Sequence, residues 1–155
     1  MTEDIQTNPK LGDKTVEGVY AGLTPDGKQQ IYAMPTDIKS KFLKKLMTFN
    51  KAAKRVVRLN AANAFGHNDW QIGSREVMHV LQKNHNKGSL KGTFDHTNKI
   101  SGFVYPVWYW SSTGPRHASS HVVNVRFSNG NESWDNKRNI RLSCRPVRLV
   151  SVPVP

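Results

Sequence analysis

The sequence is short of acid, of cysteine and of long apolar runs. Only 11 of its 155 residues are Asp or Glu, against 23 Lys or Arg, which gives a formal net charge of +12 and a pI near 10.1. Such an imbalance spreads positive potential over the surface and favours anionic partners: nucleic acid, sulfated glycan, anionic lipid or an acidic protein. The single cysteine, Cys144, excludes an intrachain disulfide and any multi-cysteine zinc site, so stability must rest on core packing. No stretch approaches the roughly 18–20 apolar residues of a membrane-spanning helix, and residues 1–10 are polar, with no apolar signal-peptide core. The expected address is the cytoplasm, with export by a signal-independent route left open.

Reaction motifs are missing as well. There is no Gly-x-Ser-x-Gly elbow, no glycine-rich phosphate loop and no dinucleotide fingerprint, and Cys144 lies in a segment of strand character, where a small buried hydrophobe is the default. Six histidines invite a metal, but His117 and His121, four apart, fall in a loop-to-strand region and lack the Glu of His-Glu-x-x-His. No catalytic residue, metal or cofactor is therefore expected, and the chain is expected not to be an enzyme.

What is present fits one α+β domain, expected over residues 13–152 after a flexible tail of 1–12. Val16 to Leu23 and Gln29 to Met34 flank Thr24-Pro25-Asp26-Gly27, a strong turn signal, and predict a β-hairpin. Pro35-Thr36-Asp37 then offers a break and an N-cap. Apolar residues from Phe42 to Val57 recur at helical spacing and predict a first helix through about Asn60. Its other face is wholly basic (Lys39, Lys41, Lys44, Lys45, Lys51, Lys54, Arg55 and Arg58), with no acid between Ile38 and Asn68. Like charges at helical spacing repel, so an uncompensated face suggests a polyanion partner, although a charge run can also be only a solvated face. Ser74 caps a second helix carrying Val77, Met78, Val80 and Leu81. Lys83 to Lys99 predicts a long loop, and Ile100–Trp110, Val122–Phe127 and Ile140–Val150 predict strands. Trp108 and Trp110 share one strand face, so these two indoles are expected in the core, with Tyr109 nearer the rim. Trp70 is expected in the core, and Arg145 and Arg148 are expected to tie the domain's ends together through carboxylates or carbonyls.

Several blocks in this order resemble one family. They are the early hairpin, Leu59-Asn60-Ala61, Gly66-His67-Asn68-Asp69-Trp70, Trp108-Tyr109-Trp110-Ser111-Ser112, Arg126-Phe127-Ser128-Asn129-Gly130-Asn131 and Arg145-Pro146-Val147-Arg148. From about Val19 to Arg148 the chain resembles the bacterial C-type-lectin-like domains of some adhesins and of retroelement-diversified variable proteins, which are distantly like the formylglycine-generating enzyme fold. It departs from them at Gln71-Ile72-Gly73-Ser74, where the family usually has Arg-(Val or Leu)-Pro-Thr, and in the long 83–99 segment. The resemblance implies two helices packed on a twisted antiparallel sheet with long polar loops. It also implies a ligand surface formed by Arg116, His117, Ser119, His121, Asn131, Ser133, Trp134, Asp135, Arg138 and Asn139, with Trp134 as an exposed apolar anchor. Glu132, Asp135 and Asn136 surround Trp134, but their order differs from the Trp-Asn-Asp of calcium-dependent lectins and no Glu-Pro-Asn precedes them, so binding without calcium is expected. One cysteine cannot supply the paired thiols of formylglycine-generating chemistry.

Three functions follow as expectations. The first is a non-enzymatic module that holds a protein or glycan through these C-terminal loop residues. The second is polyanion binding, to nucleic acid or sulfated glycan, through Lys41, Lys44, Lys45, Lys51, Lys54, Arg55 and Arg58. The third is a phage- or pathogen-encoded inhibitor or effector that blocks an acidic host protein.

Overall fold

A computed structural model of the chain describes residues 8–40, 44–115 and 119–153. Strands β1 (Lys14–Thr15), β2 (Gly18–Leu23) and β3 (Gln29–Ala33) open the fold. The expected hairpin turn is built from its own side chains: Thr24 Oγ1 donates to Asp26 Oδ1 (2.7 Å), the same carboxylate oxygen accepts from Lys28 N, and Gly27 supplies a left-handed residue at φ 74°. Gly12, at the end of the expected tail, is buried, and its N–H donates to Tyr20 O (2.8 Å).

The first helix is shorter than its periodicity suggests. Helix α1 covers Phe49–Ala61 and is capped by Thr48, whose Oγ1 accepts from Lys51 N (3.2 Å). Asp37 caps nothing. The segment before the helix runs beside the chain's last third instead: Met34 N donates to Pro146 O, Ile38 N to Cys144 O, and Met47 and Leu142 exchange backbone bonds at 2.9 Å. These pairings satisfy the backbone that a longer helix would have used, and they remove Lys39, Lys44 and Lys45 from any helical face. Lys41 lies outside the described residues.

Asn60, near the end of α1, clasps the backbone of Trp70 from both sides, donating to its O (2.9 Å) and accepting from its N (2.8 Å). The Trp70 indole is buried and donates to Ala64 O. Helix α2 (Arg75–Asn84) starts where expected, with Ser74 Oγ accepting from Val77 N and Val77, Met78 and Leu81 buried. Gly73 explains the departure just before it. A Cβ there would lie 2.9 Å from Val77 and 3.3 Å from Val147, so the glycine lets helix and final strand close together.

The predicted 83–99 loop is partly ordered structure: α2 continues through Asn84, and a 3₁₀ turn at Gly88–Leu90 buries Leu90. The predicted 100–110 strand is three pieces. Among the described residues, strands β4 (Thr97–Ile100) and β5 (Phe103–Pro106) pair only with each other, and β6 (Trp108–Trp110) joins a separate sheet, order β6-β7-β8, with β7 (His121–Arg126) and β8 (Glu132–Asn136). Strand β8 forms where a polar loop was expected. Strand β9 (Val147–Ser151) returns to pair antiparallel with β3, in the order β1-β2-β3-β9. Among the described residues the architecture is thus α+β with three antiparallel sheets, not one.

Two cores fill it. Val19, Ile31, Met78, Leu81, Val123, Val125 and Phe127 form the first with Tyr109, and Met34, Met47, Val56, Trp70, Trp110, Val122 and Cys144 form the second. The sheet β6-β7-β8 lies between them, so both faces of its central strand are covered. The expectation for the aromatic strand holds for Trp110, which is fully buried, and fails for the other two: Tyr109 is fully buried as well and Trp108 only half-buried.

Candidate ligand-binding face

A buried polar knot anchors the surface loops. The Arg145 side chain is fully buried, and its Nε donates to Asp37 Oδ1 (2.8 Å) while its Nη atoms donate to Met34 O and to Thr93. The guanidinium lies 3.9 Å from the centre of the Phe94 ring. Asp37 Oδ2 accepts from the Tyr109 hydroxyl (2.8 Å), which in turn accepts from Asp95 N (3.1 Å). Burial pushes the Asp37 carboxyl upward, against the pull of Arg145, the Tyr109 hydroxyl and Lys45; the same burial carries the Tyr109 phenol far above its usual range. Arg148 makes the second tie, with Nε to Asp69 (2.5 Å) and Nη1 to Glu17 (2.9 Å). Both arginines join distant segments through carboxylates and carbonyls, as expected.

Strand β8 carries the middle of the predicted ligand surface, and its pleat divides that surface. Trp134 faces the same side as Glu132 and Asn136, whereas Ser133 and Asp135 face the other. Trp134 is 46% exposed, as an anchor requires. Asp135 is occupied by the fold, since its carboxylate accepts from Asn124 Nδ2 (2.6 Å). The flanking residues separate by the strand's length, roughly 16 Å for five residues. Asn131 stands at one end, and at the other His121 opposes Asn136, with Ser119, Arg138 and Asn139 exposed beside it. Arg116 and His117 lie outside the described residues. The eight described positions therefore do not form one patch: one end of the sheet gathers His121, Ser119, Arg138 and Asn139.

The predicted polyanion residues also divide. Lys51, Lys54 and Arg58 are exposed at successive turns of α1, which has no acid in its first turn. Lys44 is exposed but precedes the helix. Lys45 is committed to Asp95 (2.9 Å), and Arg55 Nε donates to Lys39 O (3.1 Å). Lys45, Arg55 and Lys39 instead rim a groove of about 590 Å³ with Met34, Ile38 and Phe65 among its apolar walls.

Sequence reading missed the contact that unites the two sets. The turn after β8 packs on the start of α1: Asn50 N donates to Lys137 O (3.2 Å), and Lys137 Nζ lies 5.4 Å from the centre of the Phe49 ring. Arg138 and Arg141, both exposed, lie in the segment that this contact seats on the first turn of α1, where Lys51 is also exposed, with Lys54 one turn further on. The signal was the spacing of Lys137, Arg138 and Arg141, visible as a basic cluster but not assignable to the helix without the fold.

An α+β frame with two helices and antiparallel sheets, a buried Arg145–Asp37 pair and an exposed strand with polar turns is compatible with a C-type-lectin-like module. The chain belongs to the Lcl C-terminal domain family, a bacterial C-type-lectin-like family used in variable proteins, whose profile matches residues 22–148, from β2 to β9. No curated protein matches the chain.

Proposed function

We propose that this module is non-catalytic and captures an anionic partner at the end where the turn after β8 meets α1, with Lys51, Lys54, Arg138 and Arg141 making the charged contacts and Trp134 adding apolar area. The observation that carries this reading is the packing of Lys137 against Phe49 and Asn50, which seats one basic segment on the start of another. Among the described residues no carboxylate pairs with Lys51, Lys54, Arg138 or Arg141, and Asp135 and Asp95 are held by Asn124 and Lys45. The partial positive charge at the N-terminus of α1 adds to the same field. A non-catalytic role is supported by the state of the nucleophiles: the Cys144 thiol is buried and raised well above its usual range, and the Tyr109 hydroxyl is tied to Asp37.

Titration of the intact chain with a sulfated polysaccharide, duplex DNA and a neutral glycan at two salt concentrations tests the reading. Binding to a polyanion should fall steeply with salt, with a slope of about −0.9 per phosphate contact on duplex DNA. Replacing Lys51, Lys54, Arg138 and Arg141 together by Ala should weaken it at least about tenfold, since charge-assisted contacts contribute roughly 1.5–3 kcal/mol each, while melting stays within a few degrees. Trp134→Ala should weaken binding with no loss of stability. Salt-independent binding, or unchanged affinity in the quadruple variant, would overturn the proposal.

A further inference from the structure

Among the described residues, the β4–β5 hairpin belongs to neither core and to neither larger sheet. Its largest side chains are turned to solvent: Ile100 is 46% exposed, Phe103 67%, Val104 63% and Tyr105 47%. A two-stranded ribbon gains little stability from its own pairing, so exposed apolar side chains at its end call for a partner.

The cross-strand register orders these residues along the ribbon. Ile100 pairs with Phe103 next to the two-residue turn Ser101-Gly102, Lys99 pairs with Val104 one step back, Asn98 with Tyr105 two steps back and Thr97 with Pro106 at the base. Moving from tip to base at roughly 3.4 Å per step, the composition changes from apolar to amphipathic to polar. That gradient is the one found across a bilayer surface, where apolar groups enter the acyl boundary, lysine stems reach back to the headgroups and tyrosine sits at the interface. The two faces matter as well. Phe103 and Val104 are neighbours in sequence and so project from opposite faces of the ribbon, and both are exposed. A protein partner laid against one face would leave the other in water, whereas a fluid bilayer surrounds both.

Charge selects the kind of bilayer. Lys99 sits within the hairpin, and the sequence holds no acidic residue between Asp95 and Glu132. Asp95, near the hairpin's base, is neutralised by Lys45 at 2.9 Å. We propose that the β4–β5 hairpin is a membrane-docking finger, which inserts Ile100, Phe103 and Val104 shallowly into a bilayer rich in anionic lipid and places Lys99 at the level of the phosphates. The depth is limited to the headgroup boundary, because the turn's own backbone groups need polar partners that hydrocarbon cannot offer.

The test is flotation of the intact chain with vesicles of phosphatidylcholine alone and of phosphatidylcholine containing about one third phosphatidylglycerol, in moderate salt. The wild-type chain should float with the anionic vesicles and not with the neutral ones. The double variant Phe103→Ser, Val104→Ser should lose about tenfold or more of this affinity, as expected for two large apolar side chains withdrawn from burial. Its melting temperature and its affinity for a sulfated polysaccharide should be unchanged, which separates the finger from the basic face at α1. In the Phe103→Trp variant, the added indole should be quenched by brominated lipid. Absence of wild-type binding to anionic vesicles, equal binding by the double variant, or no quenching would overturn the proposal. So would light scattering that shows a wild-type oligomer dissolved by the double variant, because the tip would then be a contact between copies of the chain.

Discussion

Asp37 is the residue whose role changed most between sequence and structure. Next to Pro35 and Thr36 it has the appearance of a helix entry, yet it is the buried counter-charge of Arg145 and the acceptor for the Tyr109 hydroxyl. Arginine just before the last strand was legible as a tie between segments, because a guanidinium at the end of a domain needs acceptors from elsewhere. Which carboxylate it would find was not legible, since the partners lie 108 positions apart. The same holds for Tyr109: alternation along a strand correctly separates it from Trp108 and Trp110, but only a sheet covered on both faces buries it as deeply as Trp110. Asp37→Ala should destabilise the protein by about 3–5 kcal/mol, because it leaves the Arg145 charge buried without a partner. Urea denaturation measures this, and a loss near zero would show that Arg145 finds another counter-charge.

At the scale of elements, what succeeded were local signals with local physical causes. The 24–27 turn, the Ser74 cap and the apolar stripe of α2 all lie where side chains a few positions apart determine the backbone. The start of α1 failed because its competitor is remote: residues 34–47 pair with residues 142–146, a choice that no window of helical periodicity contains. Strand β8 was missed for a related reason, since Glu132-Ser133-Trp134-Asp135-Asn136 has little strand propensity and exists as a strand by pairing with apolar β7. A direct comparison follows for the cap. Thr48→Ala should cost about 1 kcal/mol by losing the bond to Lys51 N, whereas Thr36→Ala, exposed and outside the helix, should stay within about 0.5 kcal/mol. Equal losses in thermal denaturation would place the helix start upstream after all.

For the whole molecule, ion pairs between distant elements make stability depend on acid. The hydrogen bond from Arg148 holds the Asp69 carboxyl below its usual range; burial pushes Glu132 up, but the bonds from Arg75 and His79 outweigh it and the net direction is down. A carboxyl lowered in the folded state contributes stability that is fully present above its unfolded value, about 4, and is lost as the pH falls through the folded value. The melting temperature should therefore be insensitive to these two groups from pH 7 to about 5 and fall below about pH 4. The variant Asp69→Asn, Glu132→Gln should melt lower at neutral pH and show a smaller acid-induced fall; an unaltered acid limb would rule these pairs out as its source. The sequence by itself determined the excess of positive charge, the α+β class, the local turns and caps, and the family blocks from β2 to β9, because each depends on composition or on neighbours in the chain. Only the tertiary structure decided where the first helix begins, that Tyr109 is core, that β8 is a strand, and that the turn at residues 137–141 meets the basic helix. Those outcomes depend on pairings and buried contacts that no local window specifies, from β8 on neighbouring β7 to residues 34–50 on residues 137–146 about a hundred positions away, and such contacts are settled by competition over the whole fold.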